Sequence, residues 1–583
     1  MRFRASSRMV ATGVLVLIVT LVTFTGCKPG ASLTTTRTTT TPRIVSQTTS
    51  TTAVTQAAGT TTQTAKPTTV PAAAPNGPYG ELKTAEPGFN KETFDPPKSD
   101  RVTIQAFSAP MLDYLVRQAP DGKETGIAEK FEMAPDGLSW IFHIRKGVLF
   151  HDGTTLTARD VKFNLDREAS KDAFNPYVRD AQDRVEITDD YTVRVYTKGV
   201  QPFYWRFVSM LSGNQGVMAP KDYIEKNGLA YYLNRPIGTG PFKFVSRIPG
   251  DSVVYEALDK HYRKVPAFKK LTIFVVPEET TRVAMLKTGQ ADVAGLALDS
   301  VPSVEAAGLS TATLVGSQAG FILWGAYDPR AKTMPVGDIK VRQALSLAIN
   351  REEIGATVFQ KKMQPAMPPG TVAGQPEIDN AYWQAQAAKA YRYDPQAARQ
   401  LLKDAGYPNG FPIKLFSYPL GALTFLAPLA PVIQGYWLKV GVQAEIIPID
   451  YTVFRQYARS APNKGIADQM LGQASPHGSG FKDVPGQGMS TYFTIAGSFD
   501  LGSSAIGQNA ELDRLVNAVM SEPDNKKRGD MFAKALQWVL DMYAFMPIGT
   551  VPAVIGYRAN VSLVLPPTAP AVPLYAEDAM HAK

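Results

Sequence analysis

Apolar residues recur at every second position from Leu138 through Trp140 and Phe142 to Ile144. That period predicts a half-buried strand with its bulky face inward. Asp136-Gly137 turns the chain before it, and His151-Asp152-Gly153 turns it again afterwards. Thr157 then caps a helix whose apolar positions include Val161 and Leu165. Two further strand patterns, Val185 to Ile187 and Tyr191 to Val195, flank Asp189-Asp190 and predict a hairpin. Leu271 to Val276 reads as a buried strand, Ala291 to Val293 as the start of another, and Val442, Ala444 and Ile446 as a third. Phe321 to Trp324 is a short apolar run.

Helical spacing is interleaved with these strands. A helix from Glu278 carries Val283 and Leu286 and stops at Gly289. Asp338 caps a helix with Val341, Leu345 and Ala348 on one face. Asp394-Pro395 is an N-cap followed by a first-turn proline, Ala398, Leu401, Leu402 and Ala405 form the stripe, and Gly406 with Pro408 ends it. Ile433, Tyr436 and Trp437 belong to a helix ending at Gly441, and a long helix runs from about Glu511 to Met542 with a break near Pro523. Helices and strands mixed along the whole chain predict an α/β fold. Gly478 to Gly502 is rich in Gly, Ser and aromatics and reads as a long loop.

Length adds that 583 residues exceed one compact core, since single cores stop growing near ~250–300 residues. The net charge of +9 is misleading about partners. Residues 1–80 hold seven Lys and Arg and no Asp or Glu, which leaves 54 basic against 52 acidic groups in the remainder. A balanced body has no global electrostatic reason to seek nucleic acid.

The amino terminus accounts for part of the excess. Arg2, Arg4 and Arg8 precede an uncharged, mostly apolar segment from Met9 to Gly26, and Cys27, the single cysteine, follows at once. This pattern resembles a bacterial lipoprotein signal over residues 1–27, with cleavage leaving Cys27 as the lipidated end. A plain membrane anchor is the alternative. Residues 28–78 are Thr-rich with Ala, Pro and Gln, too poor in large apolar side chains to offset the entropy of ordering, and read as a disordered tether.

Little in the body resembles catalysis. It has no G-x-S-x-G, no H-E-x-x-H, no P-loop and no cysteine nucleophile. The five histidines fall at 143, 151, 261, 477 and 581, none at the spacing of a helical metal pair. Gly238-Thr239-Gly240 is followed by Pro241 with no helix start, so it reads as a structural turn, as does His151-Asp152. Arg342 reads as solvating a helix face or pairing locally. No cofactor, metal site or catalytic residue is expected.

Five blocks taken together carry a resemblance: PDGLSWIFHIRKGVLFHDGTTLTARDVKFNL from Pro135, IGTGPFKF from Ile237, PEETTRVAMLKTGQADVAG from Pro277, DIKVRQALSLAINREEI from Asp338 and YDPQAARQLLKDAGYPNG from Tyr393. In this order they resemble the family 5 extracellular solute-binding proteins of ABC transporters, which bind peptides, dipeptides or nickel. The resemblance implies a periplasmic-binding-protein-like class II fold of three lobes. Lobe I would comprise residues 79–112, 236–306 and a return over 545–583; lobe II, 113–235; lobe III, 307–544. A solute would bind between lobes I and III, and an ABC permease with its ATPase would receive it.

Where peptide binders of this family carry a Trp and an amine-receiving Asp in lobe III, this chain reads Met470-Leu471-Gly472-Gln473-Ala474-Ser475-Pro476-His477. The resemblance puts Ala474 at the Trp and His477 at the Asp. A buried ammonium without an anionic partner costs several kcal/mol, so free-amine peptides are not the expected ligand. The resemblance makes Gln473, Ser475, His477, Trp324, Tyr114 and Phe107 the candidate ligand contacts, each with a structural reading beside it: surface loop for the first three, core for Trp324. Rival readings are a nickel or metal-chelate binder with His477 as anchor, a receptor presenting solute to a sensor, and a secreted enzyme.

Overall fold

The computed structural model describes residues 77–583 except 118–124, 211–214, 372–377, 421–422, 459–465, 566–575 and positions 481, 483, 496, 498, 504–506 and 583. Cys27, the apolar segment before it and the Thr-rich stretch therefore lie outside the described residues. Among the described residues no helix is long and apolar enough to cross a membrane.

The strands in the first half are β1 (Glu81–Glu86), β2 (Asp113–Tyr114), β3 (Ala128–Met133), β4 (Ser139–Ile144), β5 (Gln182–Asp189), β6 (Thr192–Thr197), β7 (Val217–Met218), β8 (Phe242–Ile248), β9 (Ser252–Ala257), β10 (Lys270–Val275) and β11 (Val293–Leu296). The second half adds β12 (Ser310–Leu323), β13 (Pro412–Ser417), β14 (Gln443–Pro448), β15 (Ala474–Gly480), β16 (Phe545–Tyr557), β17 (Val561–Ser562) and β18 (Met580–His581). Ten of them form one sheet in the order β14-β13-β15-β12-β16-β11-β1-β10-β9-β8. A separate four-stranded sheet has the order β3-β4-β6-β5.

The large sheet is stitched across its middle by its two longest strands. β12 and β16 pair antiparallel from Ser310↔Tyr557 to Ile322↔Phe545, with register shifts between Leu314 and Ser317 and between Ala319 and Gly320. Such irregularities bend a strand and increase its twist. Gly316 sits inside the first, where a Cβ would lie 1.7 Å from the Val551 carbonyl oxygen. No larger residue fits that approach of two backbones.

Three cores correspond to this layout. One spans the half of the sheet containing β12–β16 and its helices and includes Trp324, Trp437 and Phe545. A second lies around β1 and β8–β10 and includes Phe107, Tyr114 and Tyr255. A third backs the four-stranded sheet with Trp140, Phe142, Ile144, Val161 and Leu165. The strand over Ser139–Ile144 thus buries the alternating set expected of it, but Leu138 falls outside the strand and is 44% exposed. Thr157 and Asp160 form a reciprocal capping box on the helix Ala158–Glu168, which satisfies two otherwise orphaned amides.

The Gly238–Gly240 turn is structural: a Cβ on either glycine would collide with the backbone of Met111. His151 braces it, its Nε2 2.8 Å from the Gly240 carbonyl and its Nδ1 accepting from Gly238 N–H at 3.3 Å. Arg342 pairs locally rather than solvating a helix face: it is buried and donates to the nearby carbonyls of Val336 and Gly337, and also to the Met542 carbonyl and the Tyr327 hydroxyl. One expectation needs correction. Residues 478–502 are not one loop, because β15 continues to Gly480 and a helix covers Gln487–Phe493.

Candidate functional site

The sequence signal for β13 is the alternation Ile413, Leu415 in FPIKLFSYP, ended by Pro419. β14 lies parallel to it, from Pro412↔Gln443 to Ser417↔Pro448, and β15 is parallel on its other side at Leu415↔Ala474. The carboxyl ends of three parallel strands therefore converge. Open α/β sheets bind ligands in the crevice beyond such ends.

A cavity of about 170 Å³ opens there. Tyr418 enters it directly after β13, Tyr451 from the start of the helix Tyr451–Ala458, and His477, Gly478 and Gly480 from β15. Leu420, Leu423 and Leu426 come from the segment leading into the helix Leu426–Leu438. Lys482, Thr491, Tyr492 and Phe499 complete the lining. A Cβ on Gly478 would lie 2.6 Å from Leu423 Cδ1, so a larger residue there would have to push the Leu423 side chain aside.

His477 is the polar centre of this wall. It is 6% exposed, and across the ladder it faces Gly320, which has no side chain. Rings surround it on several sides: Phe499 at 5.1 Å, Tyr492 at 5.5 Å, Phe545 at 5.9 Å and Trp324 at 6.3 Å between centroids, all near perpendicular. Nδ1 lies 3.1 Å from the Tyr418 hydroxyl. Nε2 has no hydrogen-bond partner among the described residues. Burial lowers the imidazole to a pKa of about 3, so the ring is neutral at physiological pH. Burial likewise raises the phenols of Tyr418 and Tyr492. Lys482 is half-buried, and no Asp or Glu is among the described residues lining the cavity.

The other candidates take different places. Ser475 and Trp324 are fully buried behind His477, the indole N–H donating to Ser475 Oγ at 3.0 Å. Gln473 ties the strand starts together, accepting from Lys414 N–H at 2.8 Å and donating to the Leu471 carbonyl at 3.2 Å. Phe107 packs on Phe94 and Phe89 at 4.5 and 5.0 Å in the second core, and Tyr114 is buried in that core on β2. Of the six, His477 alone lines the cavity. Sequence reasoning missed Tyr418, Tyr451, Tyr492, Phe499 and Lys482. The usable signal was Ser417-Tyr418-Pro419, an aromatic held at the end of a strand by the proline that stops it.

Among the described residues no group of three or more His, Cys, Asp or Glu is placed to hold a metal ion.

Residues 124–484 match the sequence model of the bacterial extracellular solute-binding proteins, family 5. The chain is 28% identical over 492 residues to the dipeptide-binding protein of Escherichia coli (strain K12), covering 77% of this chain and 84% of that one. It is 27% identical over 465 residues to heme-binding protein A of Haemophilus influenzae, covering 73% and 78%. Its fold matches the oligopeptide-binding protein AppA of Bacillus subtilis, solved with a nonapeptide, at a TM-score of 0.71 and 20% identity over 87% of this chain and all of that one. The mixed α/β architecture is that of the class II periplasmic binding proteins. The chain belongs to the family 5 bacterial extracellular solute-binding proteins. Two relatives of nearly equal similarity are named for a dipeptide and for heme, so likeness alone does not choose the ligand.

Proposed function

We propose that this protein captures a small solute outside the cytoplasm and delivers it to an ABC permease and its ATPase. The observation that carries this reading is the cavity around His477, at the carboxyl ends of three parallel strands in a chain of this family. A concave site with aromatic walls and a few placed polar groups suits small-solute recognition. The lobes are residues 79–112, 236–306 and 545–583 for lobe I, 113–235 for lobe II and 307–544 for lobe III. The register breaks in β12 and β16, near the boundaries of lobe III, support these two strands as the hinge. Ligand that favours the closed form shifts the open–closed balance toward it.

Cys27 is the lipidation site and anchors the protein to the membrane. Mass spectrometry of the membrane fraction tests the anchor: Cys27→Ser abolishes the lipid mass and releases the protein.

The binding role is tested by thermal melts of the purified protein against panels of peptides, sugars, organic acids and metal chelates. A solute at 100-fold excess over its Kd adds ~2.7 kcal/mol. It binds stoichiometrically and is recovered unchanged, and a chelator leaves its effect intact. Turnover of the bound solute, or no shift with any class, overturns the reading.

A further inference from the structure

We propose that the His477 cavity selects a single-ring aromatic carboxylate, free or as the end group of a larger solute, and rejects an ammonium in the same place. This deepens the capture role and rests on it. Size comes first. A dry cavity of about 150 Å³ is known to hold one benzene ring, and this one measures about 170 Å³. The walls suit a flat ring: Tyr418, Tyr451, Tyr492 and Phe499 surround it, with Tyr492 and Phe499 stacked at 5.5 Å and 8°. Aromatic pairs of this kind prefer offset or edge contacts, which a planar ligand extends.

Charge comes second. Among the described lining residues Lys482 is the one charged side chain, and it has no carboxylate partner among the described residues. His477 is more than nine-tenths buried, and its Nε2 is likewise unpartnered. In the tautomer where Nδ1 accepts from the Tyr418 hydroxyl, Nε2 carries the proton and can donate into the cavity. A carboxylate satisfies both groups at once. An ammonium meets a like charge at Lys482 and finds no anion among the described lining residues to compensate its desolvation. Aromatic walls alone attract cations through their ring faces, so a small organic cation is the competing outcome.

The test uses the full chain and four probes built on one benzene ring, by calorimetry at pH 7: benzoate, benzyl alcohol and benzylamine, of similar size, and the bulkier benzyltrimethylammonium. Benzoate is expected to bind at one per chain and tenfold or more tighter than benzyl alcohol, with no heat from either cation. Lys482→Met is expected to weaken benzoate at least tenfold while leaving benzyl alcohol unchanged. His477→Gln weakens benzoate less and leaves the cations excluded. Either cation binding as tightly as benzoate, or benzoate giving no heat, overturns the assignment. If dipeptides or another solute class stabilise the protein while benzoate does not, the capture role stands and this inference fails. If nothing in either panel binds, both fail.

Discussion

The indole of Trp324 stands nearly perpendicular to the imidazole of His477, centroids 6.3 Å apart and planes at 82°, while its N–H is spent on Ser475. Trp324 follows the end of β12 and the other two residues lie on β15, so the contact joins β12 to the cavity wall. Ser475→Ala leaves a buried indole N–H without an acceptor, which costs about 1–3 kcal/mol. We expect that loss in urea unfolding, together with weaker ligand binding because the ring behind His477 is no longer fixed. Unchanged stability would mean that the hydrogen bond is replaced by another partner.

Acid sensitivity follows from the same ring. His477 has its folded pKa depressed to about 3 by burial, against an ordinary value of 6.5. The neutral form is favoured in the folded state, so this contribution is complete above pH 6.5 and is lost progressively as pH falls toward 3. Between pH 6.5 and 5 it amounts to roughly 2 kcal/mol. His151, lowered to about 4 mainly by burial, acts in the same sense. His477→Gln cannot titrate, so its melting temperature is expected to fall less than the wild type's between pH 7 and 5. Parallel pH curves for the two proteins would rule out His477 as a contributor.

Much of the frame is legible in the amino-acid pattern. The helix caps at Asp338 and Asp394 are local hydrogen bonds that the sequence encodes within four residues, and both are present. The break at Pro523 separates two helices, Ala510–Ser521 and Asn525–Met542, where a proline cannot donate to the ladder. The cavity is less legible, because its walls come from segments as far apart as Tyr418 and Phe499 and meet only through sheet order. Gly478 to Gly502 reads as loop because its helix Gln487–Phe493 has no side-chain cap and mixes Gly, Ser and Thr with Gln, Met and two aromatics. Tertiary burial overrides propensity there. Arg342 sits buried for a related reason: a helical face can be polar and still buried when backbone carbonyls meet the guanidinium.

Glu168 gives a pH effect of opposite sign. Burial pushes its carboxyl up to about 8, although it accepts the Gly216 N–H at 2.8 Å. A raised folded pKa means that stability is complete below pH 4.5 and declines as pH rises through 8. At pH 7 the penalty is roughly 3 kcal/mol. Glu168→Gln keeps an acceptor for Gly216 and removes the charge. Its melting temperature is expected to match the wild type near pH 4.5 and exceed it at pH 8. A variant less stable than wild type at both values would show that the carboxylate is needed as an ion.

The carboxyl-terminal return is held by an ion cluster with almost no solvent. Glu577 accepts from both Arg117 and Arg263, and Arg263 also bonds Asp113 at 2.8 Å. Tyr262 donates to the same Asp113 at 2.8 Å. Burial pushes the Glu577 carboxyl up, but the two guanidiniums outweigh it and the net shift is downward. Assembling such a cluster yields little net stability, because desolvation offsets the Coulombic gain. Removing one member is different, since it strands the opposite charges out of water at a cost of about 3–5 kcal/mol. Glu577→Ala is therefore expected to destabilise the protein by that amount. Glu577→Gln keeps the packing and two hydrogen bonds, so it should lose less. Because the lowered pKa makes Glu577 stabilising only above its unfolded value, the gap between wild type and Glu577→Gln should narrow as pH falls below 4.5. Denaturant melts of the three proteins at pH 7 and 4 measure this directly, and an equal loss for both variants at both pH values would refute a charge-based lock.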